Sequence, residues 1–157
     1  MFGFFKKKQT SADGLDEKYA VFRKNNKGKS VQFAARSVCD FVTWQHNHVE
    51  LRKMQKTKFV ASPFATNIEK AFLFGAAAKA LDAFSLSDND LGLFFENVLG
   101  IYLGGEMRSM DSEMQDILTA KDKYENAAQI GGKLMTAYLI YGRQDEYSYQ
   151  LSSLVEV

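Results

Sequence analysis

Strand signals are missing from this chain. No stretch alternates β-branched and polar residues over the roughly four to eight positions that a half-buried strand needs. Proline occurs once, so almost no helix is broken from within. The single cysteine, Cys39, has no partner for an internal disulfide, which suits a reducing compartment. No run approaches the roughly 18 to 20 apolar residues of a membrane-spanning helix; the longest candidate, 71–84, carries Lys79 and Asp82. Met1 to Phe5 is too short for the apolar core of a secretory signal. The expected location is therefore the cytoplasm, with the inner face of the membrane as the one surface a peripheral contact would reach.

Histidine is scarce as well, and this excludes several chemistries. Both histidines, His46 and His48, lie in the first third of the chain. Di-iron bundles use Glu-x-x-His twice, and the motif does not occur. A globin-like haem pocket would want a histidine past mid-chain, and none follows His48. Two residues apart on a helix, His46 and His48 point about 200° away from each other and cannot share a metal. Cys39, His46 and Glu50 do share a face, but the simpler reading is two rim histidines and a buried thiol acting as a small hydrophobe. Asp88-Asn89-Asp90 fails as a calcium loop, because Leu93 and Leu99 stand where Gly and Glu are required. Gly104-Gly105 and Gly131-Gly132 lack the strand–loop–helix setting of a phosphate cradle. The first pair reads as a helix stop, the second as a close helix crossing. No catalytic residue, metal or cofactor is expected.

What the chain does contain is helical periodicity. A pattern from about Asp13–Asp16 to Lys24 ends at Asn25-Asn26-Lys27-Gly28-Lys29, where Asn and Gly tolerate a left-handed C-cap. Ser30 caps a second helix whose apolar stripe is Val31, Ala34, Ala35, Val38, Phe41, Val42 and Val49. Ser62-Pro63 opens a third, about Pro63 to Phe84, apolar nearly all round from Ala71 and thus expected at the centre. Its Gly75-Ala76-Ala77-Ala78 run admits close neighbours. Ser87 is the expected N-cap of a fourth helix carrying Leu91, Phe94, Phe95, Val98, Leu99 and Tyr102. A fifth shows Met107, Met110, Met114, Ile117 and Leu118, a stripe that suits a core or a tolerant groove. A sixth carries Ala127, Ala128, Gly131, Leu134, Met135, Tyr138 and Tyr141, and a short seventh has Tyr147, Leu151 and Leu154 inward. The expected fold is all-α: a compact single-domain bundle of five to seven helices over 13–157, preceded by a flexible aromatic-basic tail over 1–12.

Charge is divided unevenly along this pattern. Residues 1–60 hold 13 Lys and Arg against 5 Asp and Glu, and residues 61–157 hold 7 against 14. Either the halves neutralise each other in the fold, or the cations meet an outside partner. Lys6, Lys7 and Lys8 beside Phe2, Phe4 and Phe5 form a tip suited to an anionic membrane surface. Arg52, Lys53, Lys56 and Lys58, joined by Lys24, Lys27 and Lys29, form a second basic cluster suited to an acidic protein. The functional expectation is a non-catalytic helical interaction protein (adaptor, chaperone-like or toxin-neutralising) that binds a protein partner. Its alternatives are a nucleic-acid-binding regulator using the basic half, and a sensor with an aromatic-lined small-molecule pocket. The basic cluster lacks interleaved exposed aromatics and a recognition helix, which weighs against nucleic acid.

Overall fold

The computed structural model describes residues 10–55, 67–102, 121–144, 151 and 154. Five α-helices make up this part: α1 (Thr10–Asn26), α2 (Val31–Gln55), α3 (Asn67–Ala83), α4 (Leu91–Tyr102) and α5 (Lys121–Tyr141). A single 3₁₀ turn, Asp88–Asp90, leads into α4. Among the described residues there is no strand, and no helix is long and apolar enough to cross a membrane. The Ser62-Pro63 start signal, the Met stripe of the expected fifth helix and Tyr147 lie outside the described residues.

Local signals set most of the boundaries. The Ser30 hydroxyl accepts the Phe33 N–H at 3.1 Å, relieving one of the orphan donors at the start of α2. Gly28 and Gly142 are left-handed, with φ of 96° and 76°, where a Cβ would be strained. The end of α3 does without glycine. Ser85 takes φ 52°, the Leu86 N–H donates to the Leu81 carbonyl at 3.0 Å, and the Ser85 N–H to the Asp82 carbonyl at 3.1 Å. This is a Schellman closure with serine in the position glycine usually fills. Ser87 departs from expectation. Its hydroxyl makes no capping bond and instead donates to the Asp90 carboxylate at 3.0 Å, because the 3₁₀ turn is closed by the Asp90 N–H to Ser87 carbonyl bond.

α3 is the hub, touching α1, α2 and α5, while α4 packs on α2. Ala71, Phe72, Leu73, Phe74, Ala76 and Ala77 are all buried, as the nearly all-round apolar run requires. From α2 the residues Val31, Ala34, Ala35, Val38, Phe41 and Val42 meet it. Phe41 stacks on Phe72 with centroids 5.6 Å apart, and each such ring contributes about 1.5–3 kcal/mol by leaving water. The closest approach is between α3 and α5. A methyl group added to Gly75 would be driven into the Ala128 carbonyl, and one added to Gly131 into the carbonyl of Phe72. Gly132 is tighter than usual too, with such a methyl 3.2 Å from the Gly75 carbonyl oxygen. Glycine at 75 and 131 is thus what lets two backbones touch, and the Gly131-Gly132 pair does serve a close crossing. Tyr141, expected on the inward stripe, is 44% exposed, since Gly142 ends α5 there; the Lys18 ammonium lies 5.0 Å above its ring.

Candidate functional site

Among the described residues, four polar or charged side chains are buried: Gln45, His46, Glu69 and Lys70. His46 Nδ1 and Glu69 Oε2 are 2.6 Å apart, both groups almost wholly out of water. This corrects the expectation of a rim histidine. The stripe that buries Val38 and Phe41 also carries position 45, and position 46 follows it inward where the first turn of α3 supplies a carboxylate. Burying such polar groups is costly and is offset only by close geometry and hydrogen bonds. Gln45 does similar work nearby, its Oε1 accepting the Leu151 N–H at 3.2 Å. Cys39 is buried as expected, with its thiol 3.5 Å from the Val98 carbonyl. His48 meets Trp44 edge-on at 6.1 Å. No group of three metal-ligating side chains occurs among the described residues.

Among the described residues, concavities lie on either flank of α1. The first is a groove of about 320 Å³ where α1, α2 and α5 meet beside the end of α3. Phe22, Phe33, Phe84, Tyr138 and Leu139 line it, and Arg143 stands at its lip. Its rings are ordered edge to face: Phe22 on Phe84 at 5.6 Å and Phe33 on Phe84 at 5.7 Å. Phe33 nevertheless remains 47% exposed, an apolar surface left to solvent. The Lys29 ammonium lies 5.1 Å above its ring, within cation–π range. None of the described residues lining this groove is acidic. The second concavity is a trough of about 510 Å³ between α1, α3 and α5.

The charge question resolves in part. Arg23 reaches Asp82 across the two halves, with a guanidinium-to-carboxylate distance of 3.6 Å and an Nε–H bond to the Asp82 carbonyl at 3.1 Å. The Tyr19 hydroxyl donates to the same carboxylate at 2.5 Å. Burial, then this hydrogen bond and the Asp82 charge, push the Tyr19 phenol well above its usual range, against a smaller pull from Arg23. Lys24, Lys27, Lys29 and Arg36 form no ion pair with any described carboxylate. Neutralisation between halves therefore accounts for one cation of this group and leaves the others facing water.

Of the expected site residues, Phe2, Phe4, Phe5, Lys6, Lys7, Lys8, Lys56 and Lys58 lie outside the described residues. Arg52 and Lys53 fall in the last turns of α2, and their side chains are likewise outside. Lys29 does join a site, at the opposite end of α2 from Arg52 and Lys53. Sequence reasoning passed over Phe33, Arg143 and Glu69. Phe33 was legible as the one large apolar residue of α2's first turns that stands off the buried stripe. Arg143 and Glu69 carried no such signal, because their neighbours come from other helices. No protein-family model matches this chain, and neither a curated protein nor a solved structure matches it.

Proposed function

We propose that this protein is a non-catalytic helical interaction module that binds an acidic, apolar segment of a protein partner in the groove beneath Phe33. The observation that carries the reading is the pairing of an exposed aromatic floor with a cationic rim. Phe33 supplies the exposed ring, packed on the buried Phe84 and sharing the groove with Tyr138, while Lys29 over Phe33 and Arg143 in the lining supply the charge, with no carboxylate among the described lining residues. Aromatic anchors supply most of the energy of such interfaces, and rim charges select the partner and speed its approach. An amphipathic helix with acids flanking an aromatic or aliphatic anchor meets both demands.

Panning a displayed random-peptide library against the full chain tests this. The expected winners combine Asp or Glu with Phe, Leu or Trp, and lose about 10-fold or more in affinity against Phe33→Ala and against Arg143→Glu. Enrichment of basic or wholly neutral peptides would refute the reading, as would winners that bind the Phe33→Ala chain unchanged. A salt-reversible gel shift with DNA or RNA that is lost in Lys29→Glu would favour the nucleic-acid alternative instead.

A further inference from the structure

The trough on the other flank of α1 has a structural cause. Where α3 and α5 touch backbone to backbone, α5 presents the small residues Ala128 and Gly132 toward the first half of α1, with Gln129, Lys133 and Thr136 beside them. Leu15 and Tyr19 bridge the gap from above, and a space of about 510 Å³ remains open beneath. Three charges border it, each from a different helix: Asp16 from α1, Lys79 from α3 and Lys133 from α5. None of them lies within ion-pair distance of a described opposite charge. Lys79 instead rests 5.1 Å above the Tyr19 ring. Opposite charges therefore border one trough without touching each other, with Leu15, Ala128 and Gly132 among them and Gln129 and Thr136 in the same lining.

The geometry points to a binding site for a small zwitterion, an α-amino acid with an aliphatic or thioether side chain. Its carboxylate meets the ammonium groups of Lys79 and Lys133, its ammonium meets Asp16, and its side chain lies on Leu15, Ala128 and Gly132. A simple anion would satisfy the lysines and leave Asp16 opposed; a simple amine would do the reverse. Both charged ends in one ligand complete all three groups at once. Because the trough is open to solvent, its ion pairs are screened and the affinity is expected near the millimolar range. This site is independent of the groove under Phe33 and goes beyond the partner-binding reading.

Saturation-transfer NMR and calorimetry on the full chain decide the matter, with L-leucine and L-methionine as probes. Two controls each lack one charge: 4-methylpentanoate and isoamylamine. L-leucine or L-methionine is expected to bind about 10-fold better than either control. Asp16→Asn should erase the advantage over 4-methylpentanoate, Lys133→Gln the advantage over isoamylamine, and Ala128→Leu, which fills the trough, should remove binding altogether. Asp16 and Lys133 are exposed, so these two variants keep the fold and serve if Ala128→Leu disturbs the crossing. Absence of binding by both amino acids overturns the proposal. So does equal binding of leucine and 4-methylpentanoate by the wild-type chain, which would make the trough a plain anion site.

Discussion

The α3–α5 crossing and the seat of α1 upon it are opposite solutions to packing one helix on another. At the crossing, glycine removes side chains until backbones meet, and Ala71, Phe72, Ala76 and Ala127 are sealed from water around it. On α1, none of the described residues is fully buried. Among the residues whose burial is described, the shielded positions Gly14, Leu15, Tyr19, Phe22 and Asn26 form one narrow stripe. Concavities lie on both flanks of it, and its attachment is largely polar: Tyr19 and Arg23 both converge on Asp82, while Lys18 donates to the Tyr141 hydroxyl at 3.4 Å. The two features are linked. Ala128 and Gly132, which belong to the close α3–α5 contact, also line the space beneath α1, so a tight joint borders a loose one. Both candidate binding sites lie along that loose joint.

Substitutions can break this contrast or sharpen it. The largest effect is expected at the hub, where Glu69→Ala removes the buried carboxylate that meets His46 and costs about 3–5 kcal/mol of unfolding free energy in urea titration. A loss below about 1 kcal/mol would mean that the pair is not holding α2 to α3. Next comes a single type of change with opposite sign in the two regions. Gly75→Ala should cost about 3 kcal/mol by forcing α5 away, whereas Gly14→Ala on α1 meets nothing within 4 Å and should add about 0.5–1 kcal/mol. Equal signs would dissolve the distinction between crossing and seat. Asp82→Ala, third in size, removes the common anchor of Tyr19 and Arg23. It should lower stability by about 1 kcal/mol and speed amide exchange across α1 while α3 and α5 stay protected.

The smallest effect is one of pH. Folding raises the Tyr19 phenol above its unfolded value near 10, so above that pH the unfolded chain gives up its proton first. The Tyr19 contribution is complete below about pH 10 and is lost as pH rises toward the folded value. The stability gap between the natural chain and Tyr19→Phe should therefore narrow in that alkaline window. A gap that stays constant to pH 11 and beyond would show the Asp82 hydrogen bond to be inconsequential.

Much of the fold was legible in order of residues. Ser30, Gly28 and Gly142 act through bonds and dihedral limits within a few positions of themselves, so their roles as cap and stops follow from type and spacing alone. The α2 stripe and the buried run from Ala71 follow from helical period. Ser87 was misread because its hydroxyl had two local partners to choose between, a backbone N–H donor of the first turn and the Asp90 carboxylate acceptor. The site was less legible. Lys29 was flagged as a cation, but that the Phe33 it covers shares a groove with Arg143 depends on α5 returning past α1 and α2.

By itself, then, the order of residues determined that this chain forms helices, where several of them start and stop, and which faces turn inward. These are short-range matters of steric preference, capping and period. Only the tertiary structure decided that His46 is buried against Glu69, that Arg23 is taken by Asp82, and that Asp16, Lys79 and Lys133 surround a common trough. Each of those pairings joins residues more than twenty positions apart, and for the trough the meeting depends on how closely α3 and α5 approach. That distance is governed by two missing side chains, at Gly75 and Gly131.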